Sequence, residues 1–356
     1  MMFALSSRAA RVAAALCCAA FALAFAPRPA SADDVLHVVG GSTPTSFYEV
    51  IEDVAQFGGL YKAENLNVDK QYAGSASVCI QLVASGKGDI CTASIEPIIL
   101  GWEKGVRLVS FFSRDPRYDY LLAVLDSSPI KTLADFKGKD IGEINLGSTS
   151  EISANHMLAG AGVAPGSVAY IPIGVGPQAI SAITSGKIAA LSFPSVELGT
   201  YSVVAGLKFR YYRDPILDSI PNVAFNALPA TLQTKADLLK RFTRAMVKAA
   251  IVIRVNPAFA AKCFLQGAGQ KLTPEALANE TKELEITQGD LPASDLSNPR
   301  IGYMPVAGVQ LYTRFMNDQG LTKTVVPAAS IVSNEFIAQA NEFDRKAFIA
   351  QAKAMK

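Results

Sequence analysis

The sequence predicts an α/β protein with two similar lobes, each a mainly parallel sheet flanked by helices. Three observations predict this class. Strand-like and helix-like apolar patterns alternate along the chain, which is typical of parallel β-α-β units. A stretch of twenty residues aligns without a gap with the residues 100 positions later, with six identical positions. The length of 356 residues suits two domains of about 150 residues each.

The first 32 residues have the organisation of a secretory signal peptide. Arg8 and Arg11 precede an apolar run over residues 12–25, and the small residues Ala30-Ser31-Ala32 follow it. The run of about 14 residues is shorter than the ~20 residues that a membrane-spanning helix needs. We therefore expect export to the periplasm with cleavage after Ala32. The alternative is a retained membrane anchor.

Removal of residues 1–32 leaves a nearly neutral chain. It removes three of the 33 basic residues and none of the 31 acidic ones, so the net charge becomes −1. Without a basic stripe, no nucleic-acid partner is expected. Cys79, Cys91 and Cys263 remain, and they allow at most one internal disulfide. We expect all three to act as small buried hydrophobes, and no Cys or His spacing predicts a metal or a cofactor.

The first half of the exported chain shows the alternation most clearly. Apolar alternation predicts strands over residues 35–39, 68–72, 89–93 and 107–112. Helical periodicity predicts helices that end near residues 60 and 84, and another over residues 97–104.

The second half continues the pattern and then becomes helical. Further strands are predicted over residues 120–125, 141–145 and 222–226. Helices are predicted over residues 151–158 and 235–254, and the remainder is mostly helical.

An internal repeat relates the two lobes. Residues 68–87 align without a gap with residues 168–187, and both copies end in Ser-Gly-Lys. In each copy the glycine suits the left-handed position after a helix, and the lysine suits the negative end of the helix dipole. The sequence therefore predicts two lobes of similar construction.

Several motifs carry a family resemblance. Residues 59–66 read Gly-Leu-Tyr-Lys-Ala-Glu-Asn-Leu, residues 130–139 read Ile-Lys-Thr-Leu-Ala-Asp-Phe-Lys-Gly-Lys, and residues 147–149 read Gly-Ser-Thr. In these motifs the chain resembles the substrate-binding proteins of bacterial ABC importers, in the nitrate/sulfonate/taurine and thiamine-pyrimidine-precursor group. It departs from that group at Asn65, where glycine is usual, and at residues 188–190, which read Ile-Ala-Ala.

The resemblance implies a type II periplasmic binding protein fold, in which two lobes close on a ligand through two hinge crossovers. The crossovers would lie near residues 118–120 and 223–225. Lobe one would comprise residues 33–118 and 226–356, and lobe two residues 119–225. We further expect a monomer without enzymatic activity. It would capture a small polar organic molecule in the cleft and deliver it to the permease and ATPase of an ABC importer.

Candidate ligand-binding residues cluster in four loops at predicted strand ends. Backbone N–H groups and hydroxyls at helix N-termini can hold an anionic or polar group, although ordinary helix capping is the alternative role. The candidates in these loops are Thr45, Ser46, Gly74, Ser75, Ser77, Gly147, Ser148, Thr149, Ser150, Gly174 and Gly176. We further expect contributions from Ser94 and Ser195.

Charged and aromatic candidates flank these loops. A cleft-facing Glu96 would attract an amine or a ring N–H, whereas its alternative role is a favourable charge at a helix N-terminus. Tyr48 and Tyr118 could stack on a flat ligand or pack in the core. Arg114 could clamp a carboxylate, but a solvated surface position is the simpler expectation.

Two other functions compete with solute capture for import. A pyrimidine-precursor synthase-like enzyme of the same fold would need a cofactor-binding lysine, an active-site histidine and a cysteine cluster. The cysteines of this chain are scattered instead. A ligand-sensing domain that presents its closed form to a receptor is the other alternative.

Overall fold

The first sheet consists of five strands in the order β2-β1-β3-β10-β4. The computed structural model describes residues 35–42, 44, 49–115, 118, 120–144, 149–164, 166–213, 220–289, 296 and 298–356. The strands of this sheet are β1 (Val35–Gly40), β2 (Asn67–Tyr72), β3 (Ile90–Ser94), β4 (Val109–Ser113) and β10 (Val223–Ala227). β1 and β3 are parallel, whereas β10 runs antiparallel to both β3 and β4.

The second sheet also has five strands, in the order β7-β6-β8-β5-β9. They are β5 (Tyr120–Leu125), β6 (Asp140–Glu143), β7 (Ala169–Pro172), β8 (Ala190–Pro194) and β9 (Phe209–Tyr212). β6 is parallel to β7 and β8, whereas β5 is antiparallel to β8 and β9. All the strands predicted from apolar alternation lie within two residues of the observed ones.

Helices cover both sheets and form the C-terminal part of the chain. In chain order they are α1 (Val50–Phe57), α2 (Leu60–Ala63), α3 (Ala76–Ala84), α4 (Ile95–Glu103), α5 (Thr149–Gly160), α6 (Pro177–Thr184), α7 (Ser195–Val204), α8 (Pro229–Thr234), α9 (Ala236–Val255), α10 (Pro257–Gly267), α11 (Pro274–Gly289), α12 (Val306–Asp318), α13 (Ile337–Ala340) and α14 (Arg345–Lys353). None of the described helices is both long enough and apolar enough to cross a bilayer. Residues 1–32, the predicted signal peptide, lie outside the described residues.

The internal repeat extends well beyond the twenty residues in which sequence identity reveals it. β3 and β8 begin 100 residues apart, and so do β4 and β9. Strand order also corresponds, because β1, β2, β3, β10 and β4 occupy the same places as β6, β7, β8, β5 and β9. The two sheets are therefore built alike.

β5 and β10 are the strands that run against their neighbours. Each is the first strand after the chain passes from one sheet to the other. In the sheets, β10 lies between β3 and β4, and β5 lies between β8 and β9. The sheets are consequently mixed. Residues 223–225, the predicted site of the second crossover, form the first half of β10 and pair with β3. The chain therefore returns to the first sheet before Val223.

Each sheet has an apolar layer on both faces. In β1, Leu36 and Val38 contact one buried cluster and Val39 contacts the other. In β5, Leu121 and Ala123 face one side, and Leu122 and Val124 face the opposite side. A strand buried on both faces reads as a nearly continuous apolar run, as β5 does; in β1 the run is interrupted by the exposed His37.

α11 joins the two halves of the structure. It packs against α10, which belongs to the helices on the first sheet, and against α7, which follows β8 of the second sheet. The Thr200 hydroxyl donates to Glu283 Oε1 at 2.5 Å across this contact. Burial, with a further contribution from Glu283, raises the pKa of Glu280 to about 8. The acidic side of α11 is therefore partly buried.

A disulfide connects α3 to β3. Cys79 and Cys91 form it with Cα atoms 5.6 Å apart, and Cys263 is a free buried thiol. The expectation that all three cysteines are only small hydrophobes is wrong for the bonded pair. Burial of both side chains next to each other, which the sequence does not show, brings the two sulfurs together.

Candidate functional site

A small polar cavity lies at the carboxyl ends of β1, β3 and β4. It has a volume of about 130 Å³. Its polar lining consists of Ser42, Thr92, Ser94, Arg114, Tyr120 and Asn222. Loops that follow parallel strands meet at one edge of a sheet, which is where α/β proteins bind ligands. The position and the lining together make this cavity the candidate ligand site.

Close backbone packing shapes the floor of the cavity. The Gly41 N–H donates to the Thr92 carbonyl at 3.0 Å. A Cβ atom at Gly41 would lie 2.4 Å from that carbonyl oxygen and 3.3 Å from the Ala76 Cα atom. Only glycine fits between β3 and α3 at this point.

Two helices begin at the cavity. α3 starts at Ala76 and α4 follows Ser94, and both residues line the cavity. Ser75 caps α3 by accepting the Val78 N–H at 3.3 Å, whereas Ser94 is an N-cap without a side-chain capping bond. The positive ends of two helix dipoles therefore favour negative charge in the cavity.

Arg114 supplies a full positive charge to the lining. Its side chain is 2% exposed. Its Nη1 atom lies 3.5 Å from Glu52 Oε2, and its Nη2 atom lies 3.6 Å from Asp115 Oδ2. The expectation of a solvated surface arginine is therefore wrong.

Behind Arg114 lies a buried ion cluster on α1, β2 and the segments next to them. Lys70 Nζ is 2.5 Å from Glu49 Oε2 and 3.6 Å from Glu52 Oε1. The Thr92 hydroxyl donates to Glu52 Oε1 at 3.4 Å, and the Ser42 hydroxyl donates to Glu49. We define the buried ion cluster as Glu49, Glu52, Asp53, Lys70, Arg114 and Asp115.

Burial and charge act in opposite directions on these carboxyl groups. Burial opposes ionisation of Glu49, but Lys70 and Arg114 outweigh it and lower the pKa of Glu49. Burial raises the pKa of Glu52, and it raises the pKa of Asp53 to about 8. Burial also raises the pKa of Asp115, against the opposing effect of Arg114. Glu49 therefore carries the charge that pairs with Lys70, whereas its neighbours hold protons more readily.

The cluster is the part of the site that sequence reasoning missed. One available signal was the density of acids, since Glu49, Glu52 and Asp53 fall within five residues, and all three are buried at the start of α1. The partners Lys70 and Arg114 are distant in sequence, so the ion pairs required the fold.

The predicted loop residues have different environments. Ser94 lines the cavity, and Gly74, Ser75 and Ser77 lie close by around the start of α3, all exposed. In the second sheet, the Gly176 N–H donates to the Tyr201 hydroxyl at 2.8 Å, and Gly174 has a positive φ of 67°.

Two further predicted residues of the second sheet lie at the starts of helices. Ser195 is the first residue of α7. Ser150 is fully buried in the first turn of α5, and its carbonyl accepts the Ser192 hydroxyl at 2.6 Å. Thr45, Ser46, Tyr48, Gly147 and Ser148 lie outside the described residues, as does the side chain of Thr149.

Glu96 and Tyr118 contact each other rather than the cavity. The Tyr118 hydroxyl donates to Glu96 Oε1 at 2.6 Å, and the Tyr312 hydroxyl donates to the same oxygen at 2.8 Å. Both tyrosines are at most 2% exposed and pack in the apolar layer next to the first sheet. These contacts match the core-packing role that the sequence left open for Tyr118.

Among the described residues, no group of three or more His, Cys, Asp or Glu side chains is arranged to hold a metal ion.

Two mixed sheets with inserted antiparallel strands and a polar cavity at the strand ends define a periplasmic binding protein fold. Residues 50–260 match the family model described as NMT1/THI5 like. The chain therefore belongs to the NMT1/THI5-like family.

Solved structures of binding proteins share this fold. The aliphatic sulphonate binding protein SsuA from Escherichia coli is 14% identical with a TM-score of 0.65, over 85% of this chain and 92% of its own. The Xanthomonas axonopodis alkanesulfonate-binding protein SsuA, bound to MOPS, is 14% identical with a TM-score of 0.60. The match covers 87% of this chain and 100% of that protein. The nitrate-binding protein NrtA from Synechocystis is 11% identical with a TM-score of 0.60. The match covers 91% of this chain and 98% of that protein. No curated protein matches the sequence.

Proposed function

We propose that this protein is a periplasmic solute-binding protein that captures a small polar organic anion and delivers it to an ABC importer. One observation carries the proposal. Arg114 and the N-termini of two helices meet at one cavity, at the strand ends of a binding protein fold. The solved relatives named above bind sulfonates and nitrate according to their descriptions, which supports an anionic ligand.

The anionic group of the ligand contacts Arg114 and the hydroxyl of Ser94, because the hydroxyls of Ser42 and Thr92 already donate to Glu49 and Glu52. A guanidinium donates two parallel hydrogen bonds to a planar or tetrahedral anion, which gives orientation as well as affinity. Tyr120 lines the same cavity and offers an apolar surface to the body of the ligand. The predicted loops of the second sheet complete the site when the lobes close, with Ser148 and Thr149 as the central contacts.

Glu96 has no direct contact with the ligand in this proposal. Its carboxylate already accepts two tyrosine hydroxyls inside the first lobe. The ligand therefore needs no amine or ring N–H to meet it.

The protein is exported to the periplasm, and its signal peptide is cleaved after Ala32. The mature protein is a monomer that contacts the permease and the ATPase of the importer. The ligand leaves chemically unchanged. The rival synthase-like activity would need a lysine available to a cofactor, whereas Lys70, the buried lysine of the site, lies 2.5 Å from Glu49. A receptor partner in place of the importer would use the same capture step.

A matched pair of small molecules tests the proposal. Ethanesulfonate and ethylammonium have similar bodies and opposite charges, and their binding is measured by isothermal titration calorimetry. Ethanesulfonate should bind, and Arg114→Gln should weaken its binding by about 1.5–3 kcal/mol, the range for a charged hydrogen bond. Arg241→Gln, which removes an exposed i,i+4 ion pair on α9, should leave it unchanged. Preferential binding of ethylammonium would contradict the anionic assignment.

A further inference from the structure

The charges behind the cavity do not balance. The buried ion cluster contains four carboxyl groups but two cationic side chains. With every group ionised, the cluster would hold a net charge of −2 in a region from which water is largely excluded. An anionic ligand at Arg114 would add another negative charge. Buried charges without partners are costly, so an ionisable group in such a site takes up a proton instead.

Glu52 is the carboxyl group that an anion at Arg114 affects most directly. It lies 3.5 Å from the guanidinium and is 1% exposed. Asp115 also contacts Arg114, but its side chain is 23% exposed, whereas that of Glu52 is enclosed almost completely. Glu49 pairs at 2.5 Å with Lys70, which holds it in the ionised form.

The groups that face Glu52 come from every element around it. Lys70 on β2, Thr92 on β3 and Arg114 in the segment after β4 face Glu52. Tyr61 on α2 and two further acids at the start of α1, Glu49 and Asp53, complete its surroundings. Thr92 and Arg114 also line the cavity, and Arg114 is the charged residue of the two. The guanidinium therefore links the ligand to the Glu52 carboxyl group.

We propose that capture of an anionic ligand at Arg114 is coupled to the uptake of one proton from solvent by Glu52. This inference rests on the proposed function, because it needs an anion at Arg114. An O–H bond forms on Glu52, no bond of the ligand changes, and the ligand's charge takes the place of the carboxylate beside the guanidinium. The net charge of the cluster and ligand is then the same before and after binding.

The coupling makes affinity depend on pH. Where Glu52 is ionised in the free protein, each unit of pH increase should raise the Kd of an anion up to about tenfold, because one proton is bound with the ligand. Where Glu52 is already protonated, affinity should not vary with pH. Burial raises the pKa of Glu52, which brings the transition towards neutral pH.

Calorimetry with ethanesulfonate tests the coupling. This anion of a strong acid stays ionised throughout the range from about pH 6 to 9, so any proton taken up enters the protein. Titrations at one pH in phosphate and in Tris, whose ionisation heats differ, give the number of protons. Wild-type protein should take up a number that rises from near zero towards one as the pH passes through the pKa of Glu52 in the free protein.

Two variants in the same cluster assign the proton. Glu52→Gln should abolish uptake, flatten the pH profile and bind ethanesulfonate more tightly than wild type at high pH. Asp53→Asn, the matched control, should retain uptake, because the guanidinium lies 3.5 Å from Glu52 but is the weakest of the influences on the pKa of Asp53. Thermal unfolding verifies that both variants are folded. The wild-type proton count tests the coupling itself, independently of whether Glu52→Gln folds.

The outcomes separate this inference from the proposed function. Binding of ethanesulfonate by wild type without proton uptake at any pH would overturn the coupling and leave solute capture intact. Uptake that survives in Glu52→Gln and disappears in Asp53→Asn would overturn the role of Glu52. An absence of ethanesulfonate binding at every pH would overturn the anionic assignment and the coupling together.

Discussion

Replacement of Tyr312 by Phe should destabilise the fold and leave ligand affinity unchanged. The variant removes a hydroxyl that donates to Glu96 Oε1 at 2.8 Å, where the tyrosine is 1% exposed and Glu96 is 8% exposed. A hydrogen bond to a charged acceptor contributes about 1.5–3 kcal/mol to stability. The free energy of unfolding should therefore fall by about that amount, because Glu96 keeps a single tyrosine donor, Tyr118.

Urea denaturation of the wild type and of two variants measures this loss. Tyr170→Phe is the matched control, since its hydroxyl donates at 2.9 Å to the neutral Asn155 side chain on a partly exposed surface. A neutral hydrogen bond contributes about 0.5–1.5 kcal/mol. The shift of the midpoint at constant m value should thus be larger for Tyr312→Phe than for Tyr170→Phe.

A specific result would refute the structural role of Glu96. If Tyr312→Phe costs no more than Tyr170→Phe, while Glu96→Gln weakens ligand binding at least tenfold, the carboxylate belongs to the ligand site. The proposed ligand would then need a donor group opposite Glu96.

Three other outcomes are expected. Replacement of Cys79 and Cys91 by Ala opens a closed loop with a sequence separation of 12, and should cost about 3 kcal/mol in denaturation under non-reducing conditions; equal stability would show that the bond does not form. Because burial raises the pKa of Glu280 from 4.5 to about 8, the folded state binds more protons than the unfolded one, and stability should fall as pH rises across that interval. Glu280→Gln should flatten this fall, and an unchanged profile would contradict the burial. N-terminal sequencing of the periplasmic protein should begin directly after Ala32, and a full-length chain in the membrane fraction would contradict export.

Local patterns determine where strands and helices lie. The continuous apolar run over residues 120–125 predicts β5 with its observed bounds, because each side chain of a central strand must be apolar to pack on one of two buried faces. The order of strands in the sheets was not predictable in this way. The insertion of β10 between β3 and β4 joins residues more than 100 positions apart, and only long-range backbone pairing decides it.

The residues of the candidate site likewise fall into those that the sequence predicts and those that only the fold places. Ser94 follows from the sequence, because a small polar residue between a strand and a helix is an N-cap at the edge of a sheet. Glu96 and Arg114 do not. The sequence indicates a solvated Arg114, and a Glu96 that faces the cleft or begins a helix. Their partners in the structure, Glu52 and Tyr312, are 62 and 216 positions away.

The sequence by itself determined the α/β class, the repeated construction of the two halves and the short loops at the strand ends, because these depend on periodicity and on the conformations of neighbouring residues. The tertiary structure alone decided that Arg114 lines the cavity, that Glu96 is held by tyrosines and that carboxyl groups accumulate behind the site. The physical reason is that the charge state and orientation of a buried ionisable group depend on its partners across space, and those partners come from distant segments.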